Sequence, residues 1–145
     1  MMRLLCALML LVGPAVAHAA DASDAPVVLT GRFVIQPDKG AAVEVRGRMV
    51  RLSSKDDALA GILEDTRLVG KEVRASGRWR EKDRRLEVEK LQTLHNGKPH
   101  EIAYYCDICN VWAVKPGPCV CCQQPVELRE LTREDLERAK GIRPQ

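Results

Sequence analysis

The segment VVLTGRFVIQPDKGAAVEVRGRMVRLSSKDDALAGIL, residues 27–63, contains the change of hydrophobic period that decides the fold. Its first part alternates with period two, the pattern of half-buried strands. Leu29, Gly31, Phe33 and Ile35 share one face of a first strand, with Thr30, Arg32 and Val34 on the other. Pro37-Asp38-Lys39-Gly40 has turn chemistry. Val43 and Val45 mark a second strand, Arg46-Gly47-Arg48 a tight reversal, and Val50 with Leu52 a third. The period then lengthens. Leu59, Ile62 and Leu63 stand at i, i+3 and i+4, so a short helix is predicted from Lys55 to about Asp65. Ser54, with Asp57 three residues on, is its expected capping pair. Gly61 weakens this helix by about 1 kcal/mol relative to Ala.

After Gly70 the alternation returns. Val73, Ala75, Gly77 and Trp79 share a face, a charged turn spans Glu81 to Arg84, and Leu86 with Val88 opens a further strand. The phase slips between Val88 and Leu91, which predicts a bulge. Three strands, a helix and two strands, at these lengths, resemble the OB-fold from Val27 to about His95. The resemblance implies a five-stranded barrel over residues 27–99. A generic small antiparallel β-domain is the alternative. His95 to Pro99 is a turn around Asn96-Gly97, and His100 to Tyr105 is extended chain.

The 145 residues are 46% hydrophobic and 30% charged, which places the chain among globular proteins and excludes a multi-span membrane protein. The first nineteen residues read as a secretory signal peptide. Arg3 supplies the basic start, Leu4 to Val12 a short apolar core, and Ala17-His18-Ala19 a small-x-small cleavage site. A retained anchor is the alternative, although Gly13 and Pro14 break the apolar run well short of a membrane span. Cleavage removes Cys6 and leaves residues 20–26 as a leader. The expected location is outside the cytoplasm, in a periplasm or cell envelope, without a stable membrane span.

The remaining five cysteines lie in the run YYCDICNVWAVKPGPCVCCQQP, Tyr104 to Pro125. Cys106-x2-Cys109 and Cys119-x2-Cys122 are two knuckles, each able to point two sulfurs to one side. Facing each other, they supply four thiolates to a tetrahedral ion such as Zn²⁺. Iron and Cu⁺ also accept sulfur ligands. Cys121 lacks a role in this scheme and is the candidate substitute for Cys122. Two disulfides with one free thiol remain the non-metal alternative in an oxidising compartment. A Cys106-Cys109 redox pair lacks the βαβ context of a thioredoxin-type site. His95 and His100 are near enough in sequence to replace a cysteine or bind a labile second metal. Tyr104, Tyr105 and Trp112 are expected to pack the knuckle and shield its sulfurs.

This run resembles the short heavy-metal-binding module of metal-efflux proteins. Tyr104, Cys106, Pro116, Gly117, Cys119 and Cys122 match that module position by position. Cys109 stands where the family has His, and Gln123-Gln124 replace its Gly-Met pair. The intervening loop is one residue shorter. A rubredoxin-like iron site shares the double knuckle but has Gly after each second cysteine, where this chain has Asn110 and Gln123. The fold class expected is mainly β with two short helices. An OB-fold-like barrel precedes a four-Cys zinc-ribbon-like knuckle over residues 100–131, with a C-terminal helix and tail over residues 132–145. That last helix runs from Thr132 to Lys140, with Thr132 and Asp135 as its capping pair, Leu131 and Leu136 as a hydrophobic staple, and Glu134 paired with Arg138.

The net charge of +3 is no nucleic-acid footprint. Phe33 and Trp79 fall on the apolar face, and Arg74, Arg78, Arg80, Arg84 and Arg85 are interleaved with acids. No nucleophile with a histidine partner and no phosphate loop is present, and four cysteines close a coordination shell. The reading is an exported, non-enzymatic metal-binding protein with a structural zinc site, serving as a binding or scaffolding module. Its partners are the ion and, as a candidate, an envelope protein. Heavy-metal buffering or delivery is the alternative, and thiol-disulfide chemistry a more distant one.

Overall fold

The computed structural model describes residues 26–141. The signal peptide and nearly all of the leader fall outside these residues. Strands β1 (Pro26–Gln36), β2 (Gly40–Val45) and β3 (Arg48–Ser53) form an antiparallel meander. Helix α1 (Asp57–Leu63) and a 3₁₀ turn (Thr66–Leu68) lead into β4 (Glu72–Arg80) and β5 (Arg85–His95). β4 pairs with both β1 and β5, and β3 meets β5 in parallel, with Leu52 opposite Leu86. Neighbour therefore follows neighbour from β1 through β2, β3, β5 and β4 back to β1.

A Cβ on Gly31 would sit 2.1 Å from the Glu44 carbonyl oxygen, and one on Gly77 would sit 2.0 Å from that of Glu87. Both glycines let the backbones of paired strands, β1 with β2 and β4 with β5, approach closely. The expected phase slip is present: Gly77 faces Val88 while Ser76 faces Lys90, so Glu89 is the extra residue of a bulge. Phe33, Val43, Leu68, Val73 and Leu86 are fully buried inside the circuit. Trp79 is only half-buried; it packs on that core while its indole N–H donates to Glu81.

α1 is shorter than the sequence predicts, and its cap is different. Asp56, not Ser54, is the N-cap, and its carboxylate accepts the Leu59 N–H at 2.8 Å. The Ser54 hydroxyl instead braces the approach, accepting from the Asp56 N–H and donating to the Val88 carbonyl.

Strand β6 (Lys98–Cys106) continues from the Asn96-Gly97 hairpin and carries the chain to the cysteines. Its first half pairs with β5, and its second half with β7 (Val111–Ala113) on one side and β8 (Glu127–Leu131) on the other. Helix α2 (Arg133–Ala139) closes the described chain on Thr132, whose hydroxyl accepts the Asp135 N–H. It buries no residue, and Arg138 pairs with Asp135 at 2.7 Å, not with the expected Glu134. No helix among the described residues is long and apolar enough to cross a membrane. The described chain is thus mainly β with two helices and a four-cysteine cluster.

Candidate metal centre

The two C-x2-C pairs adopt one local backbone pattern. Cys106 ends β6, residues 107–110 turn back, and Cys106 and Val111 are cross-strand partners. Pro118 and Pro125 bridge across the second pair, the Cys119 N–H donates to the Gln124 carbonyl, and the Gln123 N–H to the Cys119 carbonyl. The residue after each second cysteine is left-handed: Asn110 has φ 57° and Gln123 φ 62°. These are the positions where glycine is the easier occupant. In each turn the first sulfur accepts backbone N–H groups from the residues two and three further on. Cys106 receives those of Ile108 and Cys109, and Cys119 those of Cys121 and Cys122.

The turns bring Cys106, Cys109, Cys119 and Cys122 together, with all four sulfurs within 4.8 Å of one another. Four sulfurs at about 2.3 Å from one ion are about 3.8 Å apart. Cys106 and Cys122 stand at 3.5 Å, and all five described cysteines are free thiols. The cluster is close enough to hold a metal ion, with sulfur donors alone. The N–H groups of Cys122 and Cys121 bring the Cys119 thiol down to about 7, which favours the thiolate a metal requires. Cys106 moves the other way, since burial and the neighbouring thiols outweigh the N–H groups of Cys109 and Ile108. Cys109 is raised by the Cys121 and Cys122 thiols beside it.

Burial divides the cluster. Cys106 and Cys119 are 2% and 1% exposed and pack with Tyr104 and Val126 in a second small core. Cys109 and Cys122 are half-buried, and Cys121 is exposed. Tyr104 connects the two cores. Its hydroxyl donates to Asp65 at 2.8 Å, Arg67 grips the same carboxylate, and Arg67 also donates to the Val126 carbonyl just beyond the second knuckle. Sequence reasoning missed Asp65 and Arg67, because nothing local distinguishes Asp-x-Arg from any charged turn.

Tyr105 and Trp112 do not shield the sulfurs as expected. They are cross-strand partners with rings 4.7 Å apart, capped by Arg129 over Tyr105 and Lys140 over Trp112. The Tyr105 hydroxyl also donates to Asn110. His95 and His100 lie edge to face at 4.4 Å, with His95 bound to Glu130 and His100 to the Lys98 carbonyl. Neither histidine belongs to the sulfur cluster. Among the interleaved arginines, Arg78 pairs with Glu89, Arg80 with Glu87 and Arg85 with Asp83.

No protein-family model matches the chain, and no curated protein matches it. Among solved structures, the chain is similar to one described as a tRNA fluorescent labeling enzyme, at 14% identity and a TM-score of 0.38. The similarity covers 75% of this chain and 29% of that one, so this chain spans less than a third of that structure's length. At such a TM-score the likeness carries no argument about activity.

Proposed function

We propose that this protein is an exported, non-enzymatic metal-binding module whose tetrathiolate site holds a structural Zn²⁺ ion. One observation carries the reading: four thiols, two from each of two matching turns, lie within 4.8 Å of one another. Cys106, Cys109, Cys119 and Cys122 would be the ligands, completing a closed shell of the structural type. Zinc suits an all-sulfur tetrahedral site, whereas a copper site would favour methionine. Met49, the sole methionine beyond the first nine residues, sits on β3, away from the cysteine turns. The heavy-metal-module resemblance supports a metal knuckle, and the signal-peptide pattern supports a periplasmic or envelope location. The strand circuit, with α1 between β3 and β4, supports an OB-like barrel as the platform.

Elemental analysis of the purified protein beside a free-thiol count tests this directly. One zinc per chain is expected, with the four ligand thiols unreactive until the metal is stripped. A chain without metal whose cysteines are paired as disulfides would sink the proposal. The second reading, metal as cargo for buffering or delivery, is favoured by the exposed side of the cluster. A structural ion should leave only with loss of order from Cys106 onward, since binding there is folding energy. Cargo would leave to a modest competitor with circular dichroism unchanged.

A further inference from the structure

Two of the three histidines in the chain, His95 and His100, stand together on the sheet. Thr93 faces His100 across the β5–β6 pair, and Ile102 faces Glu130 across β6 and β8. Side chains two residues apart share a face of a strand, so His95, His100 and Glu130 project from one face of three strands. Their contacts agree with this placement. The two imidazoles lie edge to face with centres 4.4 Å apart, and His95 Nε2 is 3.1 Å from Glu130 Oε1. Lys71 holds the other oxygen, Oε2, at 2.8 Å, which leaves Oε1 on the histidine side. The site is separate from the sulfurs: His100 and Cys106 are six residues apart on extended β6, about 20 Å of strand.

We propose that His95, His100 and Glu130 form a second, open site for a divalent cation of right-angled nitrogen and oxygen coordination, Ni²⁺ or Cu²⁺. The spacings carry the argument. Two imidazoles bound at right angles, each nitrogen about 2.1 Å from the ion, have ring centres about 4.6 Å apart, and tetrahedral angles would spread them to about 5.3 Å. A nitrogen and an oxygen at right angles are about 3.0 Å apart, against about 3.4 Å in a tetrahedron. Both observed separations match the right-angled case, the geometry of Ni²⁺ and Cu²⁺ with nitrogen and oxygen donors. His100 Nδ1 is 3.0 Å from the Lys98 carbonyl, an acceptor, so Nδ1 carries the proton and Nε2 the lone pair. Metal-binding histidines are commonly held by such a bond. Among the described residues only the cysteines already gather three or more donor atoms within 4.8 Å of one another. His100 has a ligand's spacing, and a turn of its side chain presents Nε2 to the ion. On binding, the His95 proton that faces Glu130 passes through solvent to Nδ1, so the ring stays neutral and Nε2 becomes the donor. Water fills the remaining positions, which makes this site open where the sulfur site is closed.

The test uses the full chain with reduced thiols, given one equivalent of Zn²⁺ and then dialysed against Ni²⁺. Wild type should take up one Ni²⁺ per chain more than His95→Gln/His100→Gln. Each single variant should weaken nickel binding by about tenfold, or about 1.4 kcal/mol. In NMR spectra of the wild type, paramagnetic Ni²⁺ should broaden the ring C–H signals of His95 and His100 first, a readout that needs no variant. Equal nickel uptake by wild type and the double variant would overturn the proposal. So would histidine ring signals that survive one added equivalent. Because uptake is read as a difference between chains with the same cysteines, it counts this site whatever ion the sulfurs hold. Absence of zinc at the cysteines would sink the tetrathiolate reading and leave the histidine site standing on its own result.

Discussion

Asp65 joins the two halves of the molecule through a single carboxylate. It is 7% exposed, receives Arg67 through its side chain and backbone, and accepts the Tyr104 hydroxyl. Burial alone would raise its pKa, but the bonds from Arg67 and Tyr104 outweigh it and hold the carboxyl below its ordinary 3.8. A depressed folded pKa means the ionised form stabilises the fold above the unfolded value, and that contribution is lost as pH falls through the folded one. Melting temperature should therefore drop on acidification below about pH 4. Asp65→Asn should lower the neutral-pH melting temperature and flatten that acid limb. Tyr104→Phe should cost about 1.5–3 kcal/mol in urea unfolding, the scale of a lost buried hydrogen bond to a charged group. Cys119→Ser should do something different: it should abolish the metal-dependent part of the melting temperature, leaving the value of the chelated wild type.

At the scale of elements, tight hairpins and close approaches of paired strands set the shape. Arg46-Gly47 and Asn96-Gly97 both have positive φ at their two central residues, the pattern that matches strand twist in two-residue hairpins. The sequence signals both turns, because Gly and Asn adopt that region at little cost. The bulge where β4 pairs with β5 is more demanding. Gly77→Ala would place a methyl group against the Glu87 backbone carbonyl, which has no side-chain freedom to retreat. A loss of about 3 kcal/mol in chemical unfolding is expected. The N-cap of α1, Asp56, lies two residues beyond the Ser54 that the sequence suggests, since Ser54, Asp56 and Asp57 all have capping chemistry. The winner depends on Ser54 being tied to Val88, a contact 34 residues away.

Across the whole molecule, two cores of unequal size share β6. Phe33, Val43, Leu68, Val73 and Leu86 belong to the larger one, and Tyr104, Cys106, Cys119 and Val126 to the smaller. Half of the small core is cysteine, so it buries little apolar surface unless the sulfurs are held together. Chelation should therefore abolish amide-exchange protection in β7 and β8 while leaving β1 to β5 protected, measured residue by residue by NMR. Uniform loss of protection in both halves would contradict this division. By itself, the sequence determined the succession of β1 to β5 with a helix after β3, the bulge after Val88 and the four cysteines, because periodicity and C-x2-C spacing act over a few residues; the short strands β7 and β8 that flank β6 carry too few alternating residues to be read. Only the tertiary structure decided that Cys106 and Cys119 form the sealed side of the cluster, and that Tyr105 and Trp112 pack against each other with tilted rings instead of over the sulfurs. Those features depend on burial and on contacts between segments distant in the chain, including Tyr104 with Asp65 at a separation of 39 residues. Local spacing specifies which ligands are available; packing specifies how each can be reached.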